Sequence, residues 1–380
     1  MHIISLSLLQ FKNYRQAQIR FVPGINCFTG NNGTGKTNIL DAIYYLSFCK
    51  SFSNPADTQN ILFNEEFFLI QGQYQVNGNT DELYCGVKRG QKKVFKRNKK
   101  EYERLSDHIG SYPLVLIYPG DVNLILGGSE ERRKFVDGVI SQYDREYLHR
   151  LIDYNKALMQ RNSLLKIFAE KRYFDESSLE IWDEQLINHG TYINQVREEF
   201  FRDFREVFRA NHAQLSANAE ETDILYESAL TDQPFDVLLK ESRKKDLAIQ
   251  YTSTGIHKDN LLFELHGQPL KKFGSQGQQK TYVIALKLAQ YQFIREVKKL
   301  RPILLFDDIF DKLDPTRVEL LLKLVSGEEF GQVFITDTHT ERLESIMNNI
   351  HAHCRLFDID KGEVIAYRDL GKTSETKHRS

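Results

Sequence analysis

Residues 30–38 have the types and spacing of a phosphate-binding loop. Their sequence, Gly-Asn-Asn-Gly-Thr-Gly-Lys-Thr-Asn, matches the pattern G-x-x-x-x-G-K-[ST] at every fixed position. Glycines in such a loop let backbone N–H groups point at phosphate oxygens, at the positive end of the following helix. The lysine ammonium contacts the β- and γ-phosphates, and the threonine hydroxyl can ligate Mg²⁺. The candidate nucleotide contacts are Gly30, Asn31, Asn32, Gly33, Thr34, Gly35, Lys36, Thr37 and Asn38.

The residues on either side of this loop agree with nucleotide binding. An apolar strand from Ile25 to Thr29 precedes the loop, and apolar residues recur at helical spacing after it, from Ile39 to Leu46. The alternative is a glycine-rich turn that matches by accident. Average residue frequencies give such a match in a chain of this length about one time in a hundred.

A second candidate site is the carboxylate pair Asp307 and Asp308, which ends a hydrophobic strand beginning near Arg301. A strand buried on both faces delivers its last side chains to the carboxyl edge of a parallel sheet, where nucleotides bind in such folds. Asp307 is expected to hold Mg²⁺ through water, beside the Thr37 hydroxyl that ligates the ion. Asp308 is expected to orient or deprotonate an attacking water. With Lys36, these carboxylates are the catalytic candidates.

A third candidate lies at residues 273–280, Phe-Gly-Ser-Gln-Gly-Gln-Gln-Lys, before a predicted long helix. Its glycines leave the backbone N–H groups accessible, and Ser275 supplies a hydroxyl at the helix start. These groups together can bind an anion. The alternative is an ordinary capped helix after a loop. The order of the three segments along the chain favours the functional interpretation.

Composition limits the class of protein. The chain has 380 residues, a net charge of −1 and four scattered cysteines, and no apolar run approaches 18 residues. These features predict a soluble cytoplasmic protein with reduced thiols and no membrane partner. A near-neutral chain does not coat nucleic acid through its overall charge, so any DNA contact needs a local basic patch.

One such patch is the stretch from Lys88 to Lys100, which holds eight Lys or Arg in thirteen residues and no acid. It is predicted to form a hairpin with a basic rim. The alternative to DNA binding is a solvated strand edge that lysines protect from aggregation. The candidate DNA contacts are Lys93, Lys96, Arg97 and Lys99.

The pattern of elements predicts an α/β protein with a discontinuous first domain. Strands recur in residues 1–118 and 250–370, whereas 119–249 form a mainly helical insertion and 371–380 a disordered tail. Within the insertion, two long helices are expected to pack as an antiparallel hairpin. The second is predicted to begin after Ser177, because Glu180 completes a capping box.

Several further segments carry a resemblance to a known family. They are Asn13-Tyr14, Tyr118 to Asp121, Gln160-Arg161-Asn162, Trp182-Asp183 and Gly255 to Asp259. With the three candidate site segments, they make the chain resemble the head of ABC-type ATPases with a P-loop fold, and more closely the RecF family of the SMC-like branch. The stretch from Lys36 to Asp307 is too short for the long coiled coil of an SMC arm.

The resemblance implies an ATP-dependent DNA clamp. ATP with Mg²⁺ would bind at Gly30–Thr37, and Ser275, Gly277 and Gln278 of a second copy would cap its γ-phosphate in trans, which gives an ATP-dependent homodimer. The family implies double-stranded DNA and single/double-strand junctions as ligands, RecR and RecO type mediators as partners, and a role in gap repair and replication restart. Its ATPase is weak, DNA-stimulated and acts as a timer.

Two positions depart from the superfamily pattern. Many ABC enzymes have a switch histidine at the position that Asp337 occupies here, and His339 follows two residues later. The sequence leaves open which of the two serves as the switch residue. The D-loop segment Asp311 to Asp314 matches at Leu313 and Asp314, but Asp311 occupies the usual small position.

Three other classes of protein are alternatives to an ATP-dependent DNA clamp. The ATPase subunit of a transporter, or of another SMC-like complex, is the main alternative; a transporter subunit would need the typical Leu-Ser-Gly-Gly-Gln helix. A nuclease-linked ATPase would need a metal-dependent catalytic domain for which no stretch has room. A structural DNA-binding protein with a vestigial site does not fit the intact Lys36, Thr37, Asp307 and Asp308.

Overall fold

The computed structural model describes residues 1–216, 220–310, 315–350 and 353–371. The strands are β1 (His2–Phe11), β2 (Tyr14–Arg20), β3 (Ile25–Thr29), β4 (Phe67–Val76), β5 (Asn79–Lys88), β6 (Val94–Arg97), β7 (Lys100–Glu101), β8 (Leu114–Ile117), β9 (Thr222–Glu227), β10 (Asn260–Leu265), β11 (Gln268–Pro269), β12 (Ile303–Asp307), β13 (Val333–Asp337), β14 (Cys354–Asp360) and β15 (Glu363–Leu370). The helices are α1 (Lys36–Phe48), α2 (Asn123–Leu126), α3 (Ser129–Ile140), α4 (Arg145–Lys171), α5 (Glu176–Leu215), α6 (Ala229–Asp232), α7 (Phe235–Ile249), α8 (Leu270–Phe273), α9 (Gln276–Lys298), α10 (Pro315–Val325) and α11 (Thr340–Asn349).

The chain divides into two compact units. The first comprises Met1–Gly120 together with the chain from Ile294 onward, and the second comprises Asp121–Phe293. The second unit therefore extends past residue 249, where the sequence pattern ends the predicted insertion, because β10 pairs with β9 and packs on α3. The predicted domain limits themselves stay a prediction.

The first unit contains the sheet that carries the phosphate loop. Its strand order is β15-β14-β3-β13-β12-β8, parallel throughout except for β15 at the edge. All residues of β3, β12 and β13 are buried, as expected for central strands of a parallel sheet covered on both faces. Their last residues, Thr29, Asp307 and Asp337, consequently lie along one edge of the sheet.

A second sheet in this unit is antiparallel, with the order β2-β1-β4-β5-β6-β7. Its inner face packs with α1 and the phosphate-loop sheet in one large apolar core, which includes Leu6, Phe11, Ile43 and Phe334. The predicted hairpin in the basic stretch is confirmed: β6 pairs with β7 through Arg97 and Lys100.

The second unit is mainly helical. Helices α4 and α5 pack against each other and are joined by residues 172–175, as predicted. The predicted start of the second helix was wrong: α5 begins at Glu176, because the Asp175 carboxylate caps it by accepting the Ser178 N–H. Among the described residues, the small sheet of this unit has the order β11-β10-β9.

Two buried arginines cross-link the second unit. Arg161 on α4 donates to Asp183 on α5 at 2.6 Å and to Asp246 on α7 at 2.7 Å. Arg197 on α5 donates to Asp137 at 2.7 Å and to Asp259 at 2.6 Å. A buried charge is tolerated only when it is paired and hydrogen-bonded, so these pairs fix how the helices meet.

Two predicted features lie outside the described residues. They are the D-loop segment Asp311 to Asp314 and the tail after Gly371. In the part of the chain that is described, no helix is both long enough and apolar enough to span a bilayer.

Candidate functional site

The phosphate loop connects the buried strand β3 to α1. Gly35 caps α1 in the left-handed region with φ 117°, a conformation that residues with a side chain rarely adopt. The Lys36 ammonium lies within the loop and donates to the carbonyl oxygens of Gly30 at 2.7 Å and Asn31 at 2.8 Å. The loop therefore curls around the Lys36 ammonium, as expected for a phosphate-binding loop.

Asp307 meets the phosphate loop at the carboxyl edge of the sheet. Its Oδ1 accepts hydrogen bonds from Thr37 Oγ1 and from Thr336 Oγ1, each at 2.8 Å. Burial raises the pKa of this carboxyl above its ordinary value, while the two hydroxyls oppose that shift and neighbouring Asp308 adds to it. Hydroxyl and carboxylate oxygens are the ligands that Mg²⁺ prefers, so Thr37 and Asp307 fit a magnesium ion.

Asp308 follows directly and adopts a left-handed backbone conformation with φ 50°. Its N–H donates to Thr336 Oγ1 at 2.9 Å, so the same threonine hydroxyl fixes both aspartates. A positive φ is uncommon for a residue other than glycine, so the extended strand conformation ends at Asp308. The structure thus brings together Lys36, Thr37, Asp307 and Asp308 from two strand ends.

The two candidate switch residues differ in their surroundings. Asp337 is buried at the end of β13, where its carboxylate accepts from the His339 N–H at 2.8 Å and from Arg342 at 2.6 Å. These contacts hold Asp337 at the start of α11. His339 is exposed and carries the N-cap position of that helix. Which residue acts as the switch stays a prediction.

Ser275, Gly277 and Gln278 lie in the second unit at the start of α9. Ser275 and Gln278 form a reciprocal capping box: the Ser275 N–H donates to Gln278 Oε1 at 2.8 Å, and the Gln278 N–H donates to Ser275 Oγ at 3.3 Å. Ser275 is exposed. The ordinary capped helix is therefore present, and Gln278 Nε2 also donates to Glu220 at 3.0 Å.

The basic hairpin places its four candidate cations differently. The Lys93 ammonium is largely buried and donates to Cys49 O at 2.6 Å and to Asp57 at 2.7 Å, so it would have to give up internal acceptors to reach a phosphate. Arg97 pairs with Asp81 at 2.8 Å. Lys96 lies over the Tyr84 ring and Lys99 is exposed.

Sequence reasoning missed Thr336, which orients both aspartates. The signal was available, because Thr336 precedes Asp337 at the end of an apolar strand parallel to the one that ends at Asp307. A lone histidine such as His257, within the segment Gly255 to Asp259, is more often structural than catalytic. Its imidazole is partly buried, contacts Tyr154 OH at 2.8 Å and Thr252 O at 3.1 Å, and burial lowers its pKa to about 4. The structure agrees with a structural role for this histidine.

Comparison with known proteins places the chain in a family. Residues 2–104 match the family described as RecF/RecN/SMC N terminal domain. A DNA replication and repair protein RecF from Flavobacterium johnsoniae is 50% identical over 359 residues, which cover 94% of this chain and 100% of that protein. The corresponding protein of Phocaeicola vulgatus is 50% identical over 369 residues, covering 97% of this chain and 99% of that protein.

Solved structures agree. The recombination mediator protein RecF with ATP, of the RecFOR pathway, is 29% identical with a TM-score of 0.86, and the match covers 97% of each chain. The Smc head domain of Pyrococcus furiosus is 19% identical with a TM-score of 0.56, covering 97% of this chain and 96% of that one, and shares the fold. The fold is that of an ABC-type ATPase head, and the chain belongs to the RecF family of DNA replication and repair proteins.

Proposed function

We propose that this protein is an ATP-gated DNA clamp. ATP with Mg²⁺ binds at the phosphate loop of residues 30–38, two copies close around it, and the closed dimer holds DNA at boundaries between duplex and single strand. The observation that carries the nucleotide part is the hydrogen bond between Thr37 and Asp307, which joins the loop and the strand-end carboxylate. A RecF structure of the same fold is described with ATP.

The chemistry follows from the residues at the sheet edge. Lys36 neutralises charge on the β- and γ-phosphates, while Thr37 and Asp307 would hold Mg²⁺, which polarises the transferred phosphoryl group when bound. Asp308 orients or deprotonates the attacking water. The resemblance to the RecF family supports slow turnover, which would time the release of the clamp.

Closure of the dimer requires a contact that only ATP supplies. Ser275, Gly277 and Gln278 of one copy would reach the γ-phosphate bound by the other copy. The exposed, capped start of α9 supports this role, since a helix N-terminus attracts negative charge. ADP lacks the γ-phosphate, so it cannot shift the equilibrium toward the dimer.

DNA would contact cations of the first unit. Lys96, Arg97 and Lys99 of the β6–β7 hairpin are the candidates, and Lys93 joins them only if it leaves its internal acceptors. RecR and RecO type mediators would be the protein partners, because a RecF of the same fold is described in the RecFOR pathway. DNA stimulation of the ATPase would couple clamp release to DNA.

The dimer is tested with Ser275→Arg, analysed by sedimentation velocity with ATP·Mg²⁺ and with ADP·Mg²⁺. The large cation at the start of α9 should leave ATP binding intact but prevent the ATP-dependent dimer. Lys272→Ala, which shortens an exposed side chain three residues earlier, is the matched control and should dimerise normally. An ATP-dependent dimer of the Ser275→Arg variant would overturn the trans contact.

A further inference from the structure

Two hairpin turns that are distant in sequence meet on the phosphate loop. The β1–β2 turn contributes Asn13, and the β14–β15 turn contributes Gly362. Both donate to one acceptor, the carbonyl oxygen of Thr34: Asn13 Nδ2 at 3.0 Å and the Gly362 N–H at 2.8 Å. Two donors on a single carbonyl fix the direction of the peptide between Thr34 and Gly35.

The Asn13 side chain also reaches the helix that follows the loop. Its Oδ1 accepts from Asn38 Nδ2 at 2.7 Å, so one amide joins Thr34 in the loop to the first turn of α1. Next to it, the Tyr14 hydroxyl donates to the Gly35 carbonyl at 3.1 Å. Tyr14 is fully buried, so this hydroxyl is held in place by the core.

The turns approach so closely that only glycine fits at the contact points. A Cβ atom at Gly35 would lie 2.7 Å from Asn13 Nδ2, and one at Gly30 would lie 2.2 Å from the Ile359 carbonyl oxygen. A Cβ atom at Gly362 would lie 2.4 Å from the Asn13 carbonyl oxygen. Of the glycines in the phosphate-loop pattern, Gly35 therefore admits the β1–β2 turn and Gly30 admits the end of β14.

We propose that Asn13 and Gly362 are positioning residues that hold the phosphate loop in its nucleotide-binding conformation. They act through the Thr34–Gly35 peptide and need not touch the nucleotide themselves. A loop that is already ordered loses less conformational entropy when the ligand binds, so its affinity is higher. This inference rests on the proposed binding of ATP at the loop.

The contact also links the β14–β15 hairpin to the nucleotide. If the Gly362 contact favours nucleotide binding, then bound nucleotide favours the Gly362 contact by the same free energy. We therefore expect the Gly362 amide hydrogen, whose acceptor is the Thr34 carbonyl, to exchange more slowly when ATP is bound. Exchange measured at the β4–β5 turn should not change.

The first test compares Gly362→Ala with Gly78→Ala. Both glycines lie in two-residue hairpin turns with similar conformations, φ 78° and φ 85°, but a Cβ atom at Gly78 would meet nothing within 4 Å. The backbone strain of the two substitutions is thus matched, and only Gly362→Ala displaces the turn from the loop. We expect ATP and ADP to bind Gly362→Ala about tenfold more weakly, and Gly78→Ala to bind like the unmodified protein.

The second test truncates the amide of Asn13. Asn13→Ala should raise the Kd for both nucleotides about tenfold and raise KM while leaving kcat nearly unchanged, because a preformed loop helps ground state and transition state alike. Gln16→Ala, an amide truncation at an exposed position of the same hairpin, is the control. Asn13→Asp keeps the acceptor for Asn38 but loses the donor to Thr34, so it should not restore affinity.

Nucleotide affinities of Gly362→Ala and Asn13→Ala equal to those of their controls would overturn the positioning role. The variants could instead lose thermal stability in the absence of nucleotide and still bind nucleotide normally. That result would assign both residues to folding alone and would also contradict the positioning role. Failure of the unmodified protein to bind ATP would instead defeat the proposed function, so the two failures are distinguishable.

Discussion

At the carboxyl edge of the parallel sheet, Asp307 combines burial with two hydroxyl donors. Burial raises the pKa of this carboxyl, whereas the Thr37 and Thr336 hydroxyls and the Lys36 ammonium lower it. The residue is therefore suited to bind a metal that arrives with the nucleotide. Asp308, next to it, is oriented by the same Thr336 hydroxyl.

Substituting the two aspartates separately should distinguish their roles. Asp307→Asn should raise the Mg²⁺ concentration for half-maximal ATP hydrolysis by roughly tenfold to hundredfold, because it removes the metal ligand. Asp308→Asn should leave that concentration unchanged but lower turnover by roughly a hundredfold or more, because it removes the group that handles the water. Steady-state phosphate release across a Mg²⁺ titration measures both. Identical effects of the two changes would contradict the assignment.

We expect His257 to make the stability of the second unit depend on pH. Burial lowers the pKa of its imidazole to about 4 from 6.5 in the unfolded chain. Between these values the unfolded state binds the extra proton, so stability should be complete above pH 6.5 and fall as the pH drops toward 4, at about 1.4 kcal/mol per pH unit.

His257→Gln should flatten this decline, because glutamine does not titrate. The single tryptophan, Trp182, lies in the second unit on α5. Its fluorescence during urea unfolding at several pH values therefore reports the unit that contains His257. A slope for His257→Gln equal to that of the unmodified protein would show that other groups dominate this range.

At the scale of elements, the sequence predicted the segments that carry a local motif or a regular apolar periodicity. The loop of residues 30–38, the buried strand ending at Asp307 and the two long helices were evident, because motif spacing and apolar periodicity are local signals. The β14–β15 hairpin was missed. Five of the eight residues of β15 are exposed and the strand lacks a clean alternation, so its pairing with β14 comes from tertiary contacts.

The polar segments in the middle of the chain resembled a family without revealing their physical role. Arg161, Asp183 and Asp259 belong to buried ion pairs whose partners lie far away in sequence. The sequence shows the charged residue types, but only the fold shows which of them form ion pairs. These residues position helices, and the candidate nucleotide site uses none of them.

The β6–β7 hairpin makes a separate prediction about DNA affinity. Lys96→Glu with Lys99→Glu leaves the Arg97–Asp81 ion pair in place. The double change should weaken DNA binding and make the plot of log K against log salt less steep by about 2. Each lost phosphate contact removes about 0.9 from the magnitude of the slope.

The matched control for the hairpin is Lys244→Glu with Lys245→Glu. Both lysines are exposed on α7, so the net charge changes equally. Fluorescence anisotropy of labelled duplex at several salt concentrations compares the two variants. Equal slopes for hairpin, control and unmodified protein would leave the hairpin lysines with the role of protecting a strand edge.

At the scale of the whole molecule, a RecF-family ATPase head would be gated by the nucleotide that it binds. Membership of the RecF family rests on relatives that are matched along nearly their full length. The gate rests on one difference in chemistry, the γ-phosphate that distinguishes ATP from ADP. A ligand shifts a conformational equilibrium only by its difference in affinity for the two states. DNA binding must therefore differ between the two nucleotides if the protein is a clamp.

The most direct test is fluorescence anisotropy of a duplex with a single-stranded overhang. Protein is titrated with ATP·Mg²⁺, with ADP·Mg²⁺ and without nucleotide, at one fixed salt concentration, beside the Lys36→Ala variant that should not bind ATP. The account predicts markedly tighter binding with ATP alone, and no effect of ATP on Lys36→Ala. Equal affinity of the unmodified protein in all three conditions would contradict an ATP-gated clamp.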